Sequence, residues 1–139
     1  MLSVDPENLL QQLIAELRSA IPEALCIYVF GSYAQGLHTP SSDIDLAVLP
    51  SAPLASMHVW NTAQKLAVVA HRDVDLVDLL RASTVFRAQV IAHGRRLFCA
   101  DTFLCEEFAT RTFSQYARLN EERREILGDI RRRGSVYGG

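Results

Sequence analysis

Gly31-Ser32-Tyr33-Ala34-Gln35-Gly36-Leu37-His38-Thr39-Pro40-Ser41-Ser42-Asp43-Ile44-Asp45 decides how this 139-residue chain is read. The run before it, Leu25 to Phe30, is apolar and rich in Ile, Tyr, Val and Phe, and predicts a short buried strand. Gly31-Ser32 ends that strand. Glycine lets backbone approach a ligand closely. Ser32 and its amide can donate hydrogen bonds to phosphate oxygens, as turn amides do in anion nests. Residues 33–42 are mostly small and polar, and predict a loop or one short turn of helix. Asp43 to Leu49 then reads as a second strand with carboxylates at its start.

Asp43 and Asp45 are two apart, so on a strand both leave the same face. Their carboxylates would lie roughly 6–7 Å apart. Asp73 to Leu80 predicts a third strand carrying acids, and Asp75 would come alongside the first two if strands two and three are neighbours. At an effective dielectric near 20, each like-charge pair at that range costs about 2–3 kcal/mol. Divalent cations supply a reason for such crowding, because Mg²⁺ takes hard oxygen ligands from a few carboxylates and from substrate phosphates. An isolated Asp-x-Asp on a solvent-facing strand is commonplace. The phosphate cradle one loop earlier makes this one a coherent nucleotide site.

Outward from this stretch the elements follow from periodicity and punctuation. Asp5 as cap and Pro6 at the first position open a helix whose Leu9, Leu10, Leu13, Ile14 and Leu17 form one stripe, ended by Pro22. Ser56 to His71 predicts a helix with Met57, Trp60, Ala63, Ala67 and Ala70 on its core side, Trp60 included. Ser83 caps a helix to His93, Gly94 stops it, and Arg96 to Cys99 is a short fourth strand. Asp101 opens a helix to about Arg133, with Leu104, Phe108, Tyr116, Leu119, Leu127 and Ile130 on one stripe, before a tail from Ser135. The class is α/β (α+β): a small mixed sheet of about four strands with flanking helices and a long C-terminal helix.

Composition bounds the rest. The hydrophobic fraction of 49% and charged fraction of 22% are those of a globular domain, and the length suits one domain. A net charge of −2 excludes a strongly basic nucleic-acid binder, and no direct DNA binding is expected. No apolar run reaches the ~18 residues of a membrane span, and the N-terminus lacks signal-peptide features, so a cytoplasmic protein is expected. Cys26, Cys99 and Cys105 match no zinc spacing and read as small buried thiols in a reducing compartment. His38, His58, His71 and His93 have no ligand spacing. His38 and Tyr33 either touch nucleotide or pack within the loop. The Arg131 to Arg133 cluster reads as a solvated helix end or as a contact for an acidic partner or RNA.

Gly31-Ser32, ten residues, then Asp43-x-Asp45 resembles the nucleotidyltransferase superfamily that includes DNA polymerase beta and the aminoglycoside nucleotidyltransferases. The small size is similar to the minimal nucleotidyltransferase (MNT) group, and Val74 to Leu79 matches where that group carries its third acid. Gly94 with its flanking helix and strand, and a long C-terminal helix ending in Arg-Gly-x-x-Tyr-Gly, extend the likeness over nearly the whole chain. Within the group the chain most resembles the MNT antitoxins of HEPN/MNT toxin–antitoxin pairs. The resemblance implies a nucleotidyltransferase fold, and an ATP- and Mg²⁺-dependent enzyme that transfers AMP to a tyrosine of a cognate HEPN-type ribonuclease toxin. It places the phosphate-binding pair on Gly31 and Ser32, and the acids for two Mg²⁺ ions on Asp43, Asp45 and Asp75, with Asp78 the rival third acid. Two alternatives stand beside it: a small-molecule nucleotidyltransferase, and an antitoxin that acts by binding alone. Residues 1–100 would be the catalytic core, and residues 101–139 a helix and tail that dock the partner.

Overall fold

Asp5 caps the first helix as the sequence predicts, its side chain accepting from the Glu7 amide at 3.4 Å. Helix α1 (Pro6–Ala20) buries all five residues of the expected stripe, Leu9, Leu10, Leu13, Ile14 and Leu17. The structure, a computed structural model, describes residues 5–137, with side chains described to Arg133. After α1 come β1 (Ala24–Phe30), α2 (Ser32–Gln35), β2 (Ile44–Pro50), α3 (Ser56–Ala70), β3 (Val74–Asp78), α4 (Thr84–His93), β4 (Arg95–Cys99) and α5 (Thr102–Tyr137).

The four strands form one mixed sheet in the order β3-β2-β1-β4. β1 runs antiparallel to β2 and β4, while β2 and β3 are parallel and joined by the crossover helix α3. Side chains alternate between the two faces. Ile27, Val29, Leu46, Val48 and Leu76 pack with α1 and α3. Cys26, Tyr28, Ala47 and Leu49 pack with Val90 of α4 and with Cys105 and Phe108 of α5. Asp45 and Asp75 are even-numbered steps from Ala47 and Val77, so they share the α4/α5 face. There α4 lies against β1 and β4, and α5 against β1, which leaves the start of β2 and β3 open.

Three expectations are corrected. Trp60 is not core: it is 60% exposed and Met57 68%, while α3 buries Thr62, Leu66 and Ala70. Apolar residues occur on more than one face of this helix, Met57 and Trp60 on one side and Leu66 and Ala70 on another, so period alone left its inward face undetermined. Of the stripe expected on α5 only Phe108 is buried, beside Cys105 and Thr112 at the root of the helix, and the helix extends to Tyr137 rather than giving way to a tail at Ser135. Gly138 and Gly139 of the expected tail lie outside the described residues. The cysteines are not three isolated thiols. Cys26 and Cys105 are joined as a disulfide with Cα atoms 6.4 Å apart, and Cys99 is a free, half-buried thiol beside them. Cys105 lies 79 residues from Cys26, so no local spacing announced the pair.

Candidate active site

Gly31 follows the last residue of β1 with φ +69° and ψ −147°, a region in which a side chain is strained. It is also where the backbone passes over Asp45, and a Cβ on Gly31 would overlap the Asp45 carboxylate. Glycine is therefore favoured by conformation, and a larger residue would also have to displace the Asp45 carboxylate. The chain then turns at once into α2, with the Gly31 carbonyl accepting from the Ala34 and Gln35 amides at 3.1 and 3.3 Å. Gly36, left-handed at φ +72°, ends that turn. Among the described residues the Ser32 hydroxyl takes no hydrogen bond, which leaves it available at the mouth of the site.

The loop to the acids is braced internally. Tyr33 is buried, stacks on His38 with ring centres 4.1 Å apart, and accepts a hydrogen bond from Arg72. The Ser42 hydroxyl accepts from the Thr39 amide at 2.8 Å and lies 3.1 Å from the Thr39 hydroxyl. Of the two readings of Tyr33, packing is the one the structure bears out. His38 lies flat on it.

The parallel register sets Asp45 opposite Asp75, and the antiparallel one sets Asp45 opposite Phe30. Asp43 sits just before β2 rather than in it, and is exposed. The Asp45 carboxyl is pushed up to about 6, first by burial, then by the charge of Asp75 and a hydrogen bond with it, and last by Asp43. Asp75 and, more weakly, Asp43 thus both act on Asp45, although Asp43 does so from outside the strand on which the spacing placed it. Asp78 is different in kind. It is buried and accepts from the Leu54 and Leu80 amides at 2.8 and 2.9 Å, fastening the loop after β2 to the end of β3. Its place three residues beyond Asp75 turns it to the other face, as expected.

The chemistry of the donor set fits a divalent cation. Asp45 and Asp75 are paired at one end of β2 and β3 with Asp43 one residue before β2, and among the described residues none of the three is in an ion pair. Hard oxygens without a protein counter-charge are the ligand class that Mg²⁺ takes. Beside Gly31 a groove of about 170 Å³ opens between β1 and α4, walled by Phe30 and Phe86, which meet edge to face at 5.5 Å. Reading the sequence did not single out Phe86, because α4 lies more than 50 residues from the Gly-Ser turn and nothing local links them.

Two expected outcomes separate the roles of these residues. Gly31→Ala should destabilise the fold by about 2–3 kcal/mol, combining strain at positive φ with displacement of the Asp45 carboxylate. Urea denaturation checks this, and a loss under about 0.5 kcal/mol would refute the packing. Asp78→Ala should cost about 2–3 kcal/mol by stranding the buried Leu54 amide and the half-buried Leu80 amide, whereas Asp75→Asn should leave stability unchanged or higher. Thermal melts of the two variants check this; equal losses would mean that the register between β2 and β3 is misassigned.

Comparison with known proteins agrees with this geometry. The polymerase beta nucleotidyltransferase family model matches residues 11–103. The chain is 44% identical over 119 residues to protein adenylyltransferase MntA of Shewanella oneidensis, covering 86% of this chain and 85% of that one. A chain from the crystal structure of a toxin–antitoxin with AMP-PNP superposes with a TM-score of 0.78 at 44% identity, over 86% of this chain and 96% of that one. A chain from the complex of the tri-AMPylated Shewanella oneidensis HEPN toxin with MNT antitoxin superposes with a TM-score of 0.76 at 40% identity, over 91% and 98%. Among the described residues no helix is long and apolar enough to cross a membrane. With a Gly-Ser turn over paired strand carboxylates, and a family match across two thirds of its length, this chain belongs to the polymerase beta nucleotidyltransferase family.

Proposed function

We propose that this chain is the MNT antitoxin of a toxin–antitoxin pair, a protein adenylyltransferase that moves AMP from ATP to a tyrosine of a cognate HEPN-type toxin. The observation that carries the reading is the Asp45–Asp75 pair beneath Gly31, in a chain 44% identical to a protein adenylyltransferase. Gly31 and Ser32 hold the β- and γ-phosphates through the Ser32 hydroxyl and the adjoining backbone. Asp43, Asp45 and Asp75 would hold two Mg²⁺ ions, which when bound neutralise the triphosphate and ease ionisation of the acceptor hydroxyl. Asp75, the more exposed of the strand pair, takes the proton of the tyrosine hydroxyl. The tyrosine oxygen bonds to the α-phosphorus, the bond from that phosphorus to the β-phosphate bridging oxygen breaks, and pyrophosphate leaves on the Gly31-Ser32 side.

Residues 1–100 then form the catalytic core, and residues 101–139 the docking extension. The cytoplasm, where ATP is abundant, is the place of action. The test is incubation of the purified chain with α-labelled ATP, Mg²⁺ and the HEPN-type protein encoded beside it. Label should appear on that protein and disappear when its tyrosine is changed to phenylalanine. Label on an aminoglycoside instead, or neutralisation of the toxin without label, would overturn the reading in favour of one of the two alternatives.

A further inference from the structure

Cys99 and Cys26 face each other across β4 and β1, and Cys105 enters from the first turn of α5, so that all three sulfurs lie within 4.8 Å of one another. The three are not equivalent. Cys26 and Cys105 are fully buried, while Cys99 is part-exposed near the edge of the sheet. The Cys99 sulfur is 3.1 Å from that of Cys105, which in turn lies 3.3 Å from the Leu25 carbonyl. A reagent from solvent therefore meets Cys99 first, and the buried pair is reached through it. In a reducing compartment a closable cysteine pair is more often a switch than a staple.

We propose that Cys99 is a thiol–disulfide exchange site that takes up a low-molecular-weight disulfide of the glutathione class and relays oxidation to the buried Cys26–Cys105 pair. The Cys99 thiolate attacks one sulfur of oxidised glutathione, forming a mixed disulfide and releasing one glutathione thiolate. The Cys105 thiolate attacks the Cys99 sulfur, forming Cys99–Cys105 and releasing the second glutathione thiolate. The Cys26 thiolate attacks the Cys105 sulfur, forming Cys26–Cys105 and returning Cys99 as a thiolate. The protons of Cys26 and Cys105 pass to the two released glutathiones. One disulfide is reduced, one is formed, and Cys99 is unchanged. The product ties the root of α5 to the central strand β1, so the redox state sets how firmly the base of that helix is held.

The test uses the reduced full-length chain with oxidised glutathione, quenched by acid and alkylation and mapped by mass spectrometry under non-reducing conditions. The wild-type chain should form Cys26–Cys105 and retain a free Cys99 at the end point. Cys99→Ser and Cys99→Ala should both reach the same end point at least tenfold more slowly. In the doubly substituted Cys26→Ser/Cys105→Ser chain, glutathione should stay on Cys99, which keeps the uptake step testable. Oxidation of both Cys99 variants at the wild-type rate would overturn the relay, as would initial glutathione capture on Cys26 or Cys105. The readout is independent of AMP transfer, so failure of the proposed function leaves it intact.

Discussion

Replacing Asp45 with asparagine is expected to abolish AMP transfer while making the nucleotide-free protein more stable. Loss of one charged group from an electrostatic site commonly costs about 10²–10³-fold in rate, and Asp45 is central among the three acids. Stability moves the other way because the Asp45 charge is unfavourable in the folded chain. Its carboxyl is pushed from 3.8 up to about 6 by burial and by Asp75 and Asp43. A shift of that size corresponds to about 3 kcal/mol, and solvent screening at a half-buried site reduces it to about 1–2 kcal/mol. Asparagine keeps the shape, fits beneath Gly31 and can donate to Asp75. The melting temperature in EDTA at pH 7 should therefore rise by about 3–8 °C. Activity within about tenfold of wild type in excess Mg²⁺ would exclude Asp45 from the site.

The same shift fixes a pH dependence. Folded Asp45 holds its proton more tightly than the unfolded chain does, so between pH 3.8 and about 6 the folded state binds more protons. The contribution of Asp45 to stability is fully present below 3.8 and is lost as pH rises through about 6. Denaturation of wild type and Asp45→Asn across that window, without metal, should show wild type losing stability relative to the variant as pH increases. The opposite slope would mean that Asp45 is solvated and the three acids do not crowd.

The first hundred residues were legible because each element there carries its own punctuation. Asp5-Pro6, Pro22, Gly31, Ser83 and Gly94 bound elements whose observed ends differ from expectation by only a residue or two. The pairing of Asp45 with Asp75 was legible in part: each reads as a strand residue from its own neighbours, but their adjacency rests on the order of β2 and β3, which no local signal gives. What sequence could not supply is what depends on packing between distant segments. The inward face of α3 is chosen by Leu66 and Thr62 against the sheet, although Met57 and Trp60 are as apolar. Asp43 lies outside β2 because β2 begins where Ile44 donates to the Asp73 carbonyl, a contact made by another strand. The disulfide joins the second element to the last, and the Tyr33–Arg72 bond spans 39 residues. None of these has a local signal.

Deleting residues 121–139 is expected to weaken binding to the toxin at least tenfold while leaving ATP binding and the fold nearly unchanged. Helix α5 has 36 residues, about 54 Å at 1.5 Å per residue, whereas a strand of the sheet is roughly 20 Å long. Among the described side chains its buried residues stop at Thr112, and every side chain from Glu121 to Leu127 is exposed. Ile126, Leu127 and Ile130 are 59%, 52% and 57% exposed, a narrow apolar stripe on a helix otherwise crowded with Glu and Arg. Asp129 pairs with Arg132 and Arg133 along the helix, which supports it locally. Removal of exposed residues away from the core changes stability by about 0.5 kcal/mol or less, so the truncated domain should melt close to wild type. Removal of two or three apolar anchors from a helix that docks in a groove costs more than 1 kcal/mol each at the binding step. The Arg131 to Arg133 end should add an association rate that falls as salt increases. Calorimetry with the toxin and with a non-hydrolysable ATP analogue separates the two affinities. Unchanged toxin affinity would reject the docking role, and an unfolded truncation would mean that the extension completes the core after all.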